Sequence, residues 1–97
     1  MDSRNYYVFG VGSGADDLHY IGWTEKVPGQ EPQQIYSDLA GSGRDDVARW
    51  VTQALDSGAI DIFEIEMAPS AEDARESAQF WGEYYRWLGL DVKGVLS

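Results

Sequence analysis

Cysteine is missing from the chain, so neither disulfides nor thiolate-held metals belong to its chemistry. A single histidine, His19, excludes a multi-histidine metal site. Positive charge is scarce: seven Lys or Arg stand against seventeen Asp or Glu, a formal net charge of −10 over 97 residues. A field of that sign repels phosphate, and non-specific nucleic-acid affinity comes largely from basic side chains displacing counterions. Nucleic acid is therefore not an expected partner unless a basic patch is assembled from those seven residues. No run approaches the roughly 18 apolar residues needed to span a bilayer, so no membrane partner is expected. Residues 1–7 lack the basic segment and apolar stretch of a secretory leader, and the expected location is the cytoplasm.

What is present is a core. Apolar residues make up 43% of the chain and aromatics 13%, with four Trp and six Tyr supplying large side chains to bury. Ninety-seven residues suffice for one domain, expected to span 1–97.

Residues 5–11 (NYYVFGV) and 17–23 (DLHYIGW) are β-branched and aromatic, and the GSGAD between them supplies hairpin-loop residues. Residues 31–40 (EPQQIYSDLA) suit a short helix with Pro32 in its first turn and Gly41 at its end. Asp45 and Asp46 open the next helix, where Val47, Trp50, Val51, Ala54 and Leu55 recur at helical spacing before Gly58. Residues 60–67 (IDIFEIEM) read as a third strand. Ser70 and Asp73 occupy capping-box positions for a last helix over about 71–88, closed by Gly89 and a short tail. The order ββααβα predicts an α+β domain with about three helices on a three-stranded antiparallel sheet.

Two local matches give that order a family. Tyr20-Ile21-Gly22, followed by Trp23-Thr24, ends the second strand, and Tyr7-Val8-Phe9 lies on the first. Phe80-Trp81 and Tyr84-Tyr85-Arg86-Trp87-Leu88-Gly89 close the last helix, with Trp50 and Gly58 in the middle one. On these residues, over about 5–95, the chain resembles the GIY-YIG nuclease superfamily. The resemblance implies a phosphodiester-cleaving site in which strand tyrosines orient or deprotonate water, a helical Arg offsets phosphate charge, a Glu on the last helix binds one divalent metal, and an Asn near the C-terminus helps fix the site.

Carried over residue by residue, most of those roles are vacant. Tyr20 is retained. The other tyrosine falls on Phe9, which has no hydroxyl, with Tyr7 two residues away on the same strand face. The Arg falls on Gln34 or Ile35; Lys26 is the nearest cation and lacks the planar fork of Arg. The Glu falls on Ala78 and the Asn near Gly94. Helical geometry tests the Ala78 assignment independently. Ala71, Ala74, Ala78, Trp81, Tyr85 and Leu88 form one stripe, flanked by Phe80, Tyr84 and Trp87, and that stripe must face the sheet, where the site would be. Glu72, Glu76 and Glu83 then lie roughly 120–160° away, so no carboxylate on this helix points at Tyr20. Without one, a hard divalent cation has little to bind. No metal or cofactor is expected, Mg²⁺ or Mn²⁺ entering only if the chain cleaves DNA after all.

Other features have plainer readings. His19 is expected on the opposite strand face from Tyr20. Gly10, Gly12 and Gly14 read as a hairpin, since no phosphate-loop lysine follows. Glu64 and Glu66 read as a solvated acidic stripe on one sheet face. The aromatics of the last helix are mostly core, and Tyr84 and Trp87 are its candidates for an exposed interface. The leading expectation is a catalytically inactive GIY-YIG-like domain that binds a protein partner as an adaptor. The alternative is a divergent metal-dependent endonuclease acting on DNA phosphodiesters, with Tyr20 and Tyr7, ligands from Glu64, Glu66 or Asp91, and Arg44 or Arg49 as the cation. A third reading is an acidic DNA mimic that inhibits a DNA-binding protein.

Overall fold

The computed structural model describes residues 5–14 and 16–95. Along them run β1 (Tyr6–Gly14), β2 (Asp17–Thr24), α1 (Pro32–Ala40), α2 (Asp45–Ser57), β3 (Asp61–Ala68), α3 (Ala71–Trp87) and β4 (Gly94–Val95). The architecture is α+β, three helices about a four-stranded sheet of order β3-β1-β2-β4. β1 pairs antiparallel with β2 and β3, whereas β4 adds parallel to β2, so the sheet is mixed and not three-stranded. The tail after Gly89 supplies the extra strand. Its backbone is captured when the Lys93 N–H donates to the His19 carbonyl at 2.7 Å. Two residues are too few to show an alternating pattern, which is why the sequence reads there as a plain tail.

The hairpin is also tighter than its glycines suggest. Gly12 and Gly14, expected in the turn, pair within the ladder with Leu18 and Asp17. A Cβ on Gly12 would lie 1.8 Å from the Asp17 carbonyl oxygen, so only glycine lets the two backbones approach this closely.

Helix ends follow their signals. Ser70 accepts a hydrogen bond from the Asp73 N–H at 3.1 Å, and Gly58 ends α2 at φ +73°, a left-handed conformation that disfavours side chains. Val47, Val51 and Ala54 are the buried face of α2; Ile35, Tyr36 and Leu39 are that of α1. On α3 Ala74 and Ala78 are buried and Trp81 and Tyr85 partly covered, as the stripe predicts; Gly82 joins them, whereas Leu88, expected at the end of the stripe, is 50% exposed. Glu72, Glu76 and Glu83 are exposed.

The sheet is covered on both faces by separate cores. Phe9, Val11 and Tyr20 meet α1 and α2 on one side. Val8, Leu18, Ile21, Ala68 and Val92 meet Ala74 and Ala78 of α3 on the other. No helix among the described residues is long and apolar enough to cross a membrane.

Candidate functional site

A bulge in β2 decides which side chains surround Tyr20. Val11 opposes Tyr20 and the next residue, Gly12, opposes Leu18, which leaves His19 as an extra residue. A bulged strand turns two successive side chains toward one side. His19 therefore stays with Tyr20, correcting the alternation expected from sequence. Both rings contact Trp50 of α2, His19 at 5.3 Å and Tyr20 at 5.4 Å between centroids.

Charged groups of both signs gather at this end of the sheet. His19 Nε2 lies 3.4 Å from Asp17 Oδ1, and its Nδ1 lies 3.2 Å from the Asp91 carbonyl oxygen. Lys93 pairs with Asp91 at 3.2 Å, and Arg44 with Asp46 at 3.3 Å. A Cβ on Gly94 would sit 3.5 Å from Arg44 Nη2 and 3.8 Å from the Tyr20 ring, so Arg44, Gly94 and Tyr20 adjoin. Tyr20 itself is 1% exposed. Burial pushes its hydroxyl pKa above the ordinary value and Asp46 adds to the rise, against smaller opposing effects of Lys93 and Arg44. A phenol shifted that way is a poorer proton acceptor at neutral pH than an ordinary tyrosine, because less of it is phenolate.

The other expected positions do not converge on it. Phe9 shares the face and cluster of Tyr20. Tyr7 pairs with Thr24, and Tyr20 with Val11, four ladder positions apart. That separates their Cα atoms by roughly 13 Å along the sheet. Gln34 is exposed and donates to Asp38 at 3.2 Å, while its neighbour Ile35 is buried in the core. Lys26 is bound to Asp38 at 2.7 Å. Arg49 is exposed on α2. Ala78 faces the sheet as its register requires, but it faces the side away from Tyr20. The face expected to carry the site thus holds the α3 core alone. Nothing on that inner stripe reaches Tyr20, because the sheet stands between them.

Glu64 and Glu66 are not one stripe either. Glu64 pairs with Phe9 and Glu66 with Val8, so a second bulge, at Ile65, sends them to opposite faces. Glu66 turns to α3, where it accepts from Ser77 and from Trp81 Nε1; these bonds, the Ser77 one foremost, hold its carboxyl below the usual range. Among the described residues no group of three His, Cys, Asp or Glu side chains is gathered to hold a metal ion.

Among the described residues, two surfaces stand out for binding. A pocket of about 230 Å³ opens where Phe9, Ile35 and Leu39 meet Trp23, Thr24, Asp38, Ser42 and Arg44. On the outside of α3, Phe80, Tyr84 and Trp87 are 60%, 39% and 80% exposed. Phe80 stacks on Tyr84 at 6.2 Å and Tyr84 on Trp87 at 6.3 Å, an aromatic ladder along roughly 10 Å of helix. Tyr84 and Trp87 are the residues singled out as interface candidates, and Phe80 joins them. Expected to flank the sheet-facing stripe, all three instead lie outward, because they sit roughly 180–240° around the helix from Ala78. The chain matches no protein-family model, no curated protein and no solved structure.

Proposed function

We propose that this chain is a catalytically silent relative of the GIY-YIG nucleases that binds another protein through the outer face of α3. The observation that carries the reading is the exposed ladder Phe80–Tyr84–Trp87. Large aromatics left in water at successive turns are costly to solubility. They are also the residue types enriched where interfaces concentrate binding energy. Catalytic silence is supported from the other side of the sheet. Phe9 lacks a hydroxyl, Ile35 presents hydrocarbon where a cation is required, the Tyr20 phenol is held protonated, and Ala78 lies behind the sheet. The partner is a protein, since a net charge of −10 opposes nucleic acid.

The test is crosslinking from a photoreactive phenylalanine analogue placed at Phe80 in the source cell, with and without Trp87→Ser. One dominant adduct, lost in the Trp87→Ser background, is the expected result. An adduct pattern indifferent to Trp87→Ser sinks the reading.

One observation favours the nuclease alternative: Arg44 and Lys93 are drawn to Tyr20, supplying cations the pairing with family positions does not. Mn²⁺-dependent DNA cleavage abolished by both Tyr20→Phe and Arg44→Gln would establish it. The expected result is no cleavage.

A further inference from the structure

The pocket beside α1 is independent of the α3 ladder, and its polar groups define a ligand. Its floor is hydrocarbon: Phe9, Ile35 and Leu39 are each at least nine-tenths buried. Its one carboxylate is already engaged, since Asp38 binds Lys26 at 2.7 Å and accepts from Gln34, and the Lys26 bond holds its pKa low. What is left over consists of donors. Arg44 touches Asp46 through Nη2 at 3.3 Å, while a guanidinium offers five N–H groups. Thr24 Oγ1 accepts from the Lys26 N–H and Ser42 Oγ from the Arg44 N–H, which leaves each hydroxyl proton free to be donated. The indole of Trp23 packs with the α3-side core on the far face of the sheet, so the donors on this side are those of Arg44, Thr24 and Ser42.

From an apolar floor ringed by unspent donors, we infer that the pocket binds a small monocarboxylate with an apolar body. The hydrocarbon lies on Phe9, Ile35 and Leu39, and the carboxylate meets the Arg44 fork with Ser42 or Thr24. A volume of about 230 Å³ is below that of drug-sized pockets and limits the body to about one ring and a short chain. A single guanidinium matches a single carboxylate bidentately.

The probe is 3-phenylpropionate, titrated into the full chain and followed by ¹⁵N NMR at the backbone amides of Thr24, Ser42 and Arg44. The controls are the neutral 3-phenylpropanamide, which keeps the body and loses the charge, and acetate, which keeps the charge and loses the body. Saturable binding with a dissociation constant of roughly 0.1–1 mM is expected. It should shift the Thr24 and Ser42 amide signals and weaken at least about ten-fold for the amide and for Arg44→Gln, and acetate should not saturate. The comparison of acid with amide uses the unaltered protein, so it stands whether or not the variant folds. Equal binding of acid and amide overturns the inference, as does an acid that fails to saturate by about 10 mM.

Discussion

Replacing Ala78 by Glu tests which face of the sheet position 78 lies on. Ala78 is 0% exposed and packed among Val8, Leu18, Ile21, Ala74 and Val92, all hydrocarbon. A longer side chain overpacks that space at a cost of about 1–3 kcal/mol. The carboxyl adds a second cost. With no cation in the cluster, it stays neutral in the folded state, so its folded pKa rises above the unfolded value near 4.3. Keeping it protonated at pH 7 costs about 1.4 kcal/mol for each of roughly 2.7 units, or about 3.7 kcal/mol. The variant should therefore lose about 5–7 kcal/mol at pH 7, comparable to the whole stability of many small domains. The sign with pH follows from the raised folded pKa: the ionisation cost is absent below the unfolded value and grows as pH rises through it. Urea denaturation of parent and variant at pH 7 and pH 4 reads both terms. The difference between the proteins should shrink to the packing cost at pH 4. A variant as stable as the parent at pH 7, or one stabilised by Mg²⁺ or Mn²⁺, would refute the placement of Ala78 behind the sheet.

Three further outcomes follow. Gly12→Ala should cost about 2–4 kcal/mol, because its Cβ would lie 1.8 Å from the Asp17 carbonyl oxygen, whereas Gly14→Ala, with its nearest contact at 3.4 Å, should stay within about 1 kcal/mol; thermal melts showing equal losses would contradict the bulge. Glu66→Gln should lower stability by less than about 1 kcal/mol at pH 7, since the site is exposed. Glu66's folded pKa lies below its ordinary 4.5, so the parent's advantage exists above that pH and fades as the pH falls through the folded value; an advantage that persists at pH 2.5 would contradict the assigned bonds. Titration with Mg²⁺ or Mn²⁺ by calorimetry should show no site tighter than roughly 1 mM, because Glu64 and Glu66 face opposite ways; micromolar binding lost in either Glu→Gln variant would reverse that expectation.

The readings that held rest on period and on end signals. The Ala74–Ala78–Trp81–Tyr85 stripe needs only a straight helix, and Ser70 and Gly58 mark its neighbourhood by chemistry that acts within a few residues. Two readings that failed, His19 turned away from Tyr20 and the Glu64–Glu66 stripe, assume that a strand alternates without interruption. One extra residue at His19 and one at Ile65 reverse that alternation locally, and neither changes the composition of its segment. A glycine facing the β2 bulge was visible at position 12, but its close approach to Asp17 is a property of the paired strands, not of either alone.

The larger failure concerns layers. A helix stripe shows that a helix faces the sheet, and a strand pattern shows that a tyrosine is inside; neither says that the two face each other. With helices on both faces, inside is two places. Tyr20 belongs to the α1–α2 side with Phe9, and Ala78 to the α3 side with Val8. That separation bears on function more than the missing acid does. A Glu at position 78 would place a carboxylate where it cannot meet Tyr20, so the substitutions Phe9→Tyr, Gln34→Arg and Ala78→Glu together do not assemble one site. The residues that do border Tyr20, namely Arg44, Trp50, Lys93 and Gly94, come from α2 and from the tail strand, far along the chain from both motifs. Arg44 lines the pocket and adjoins Tyr20 on one side of the sheet, and the exposed ladder Phe80–Tyr84–Trp87 lies on the helix that covers the other, so substitutions in the two can be read independently.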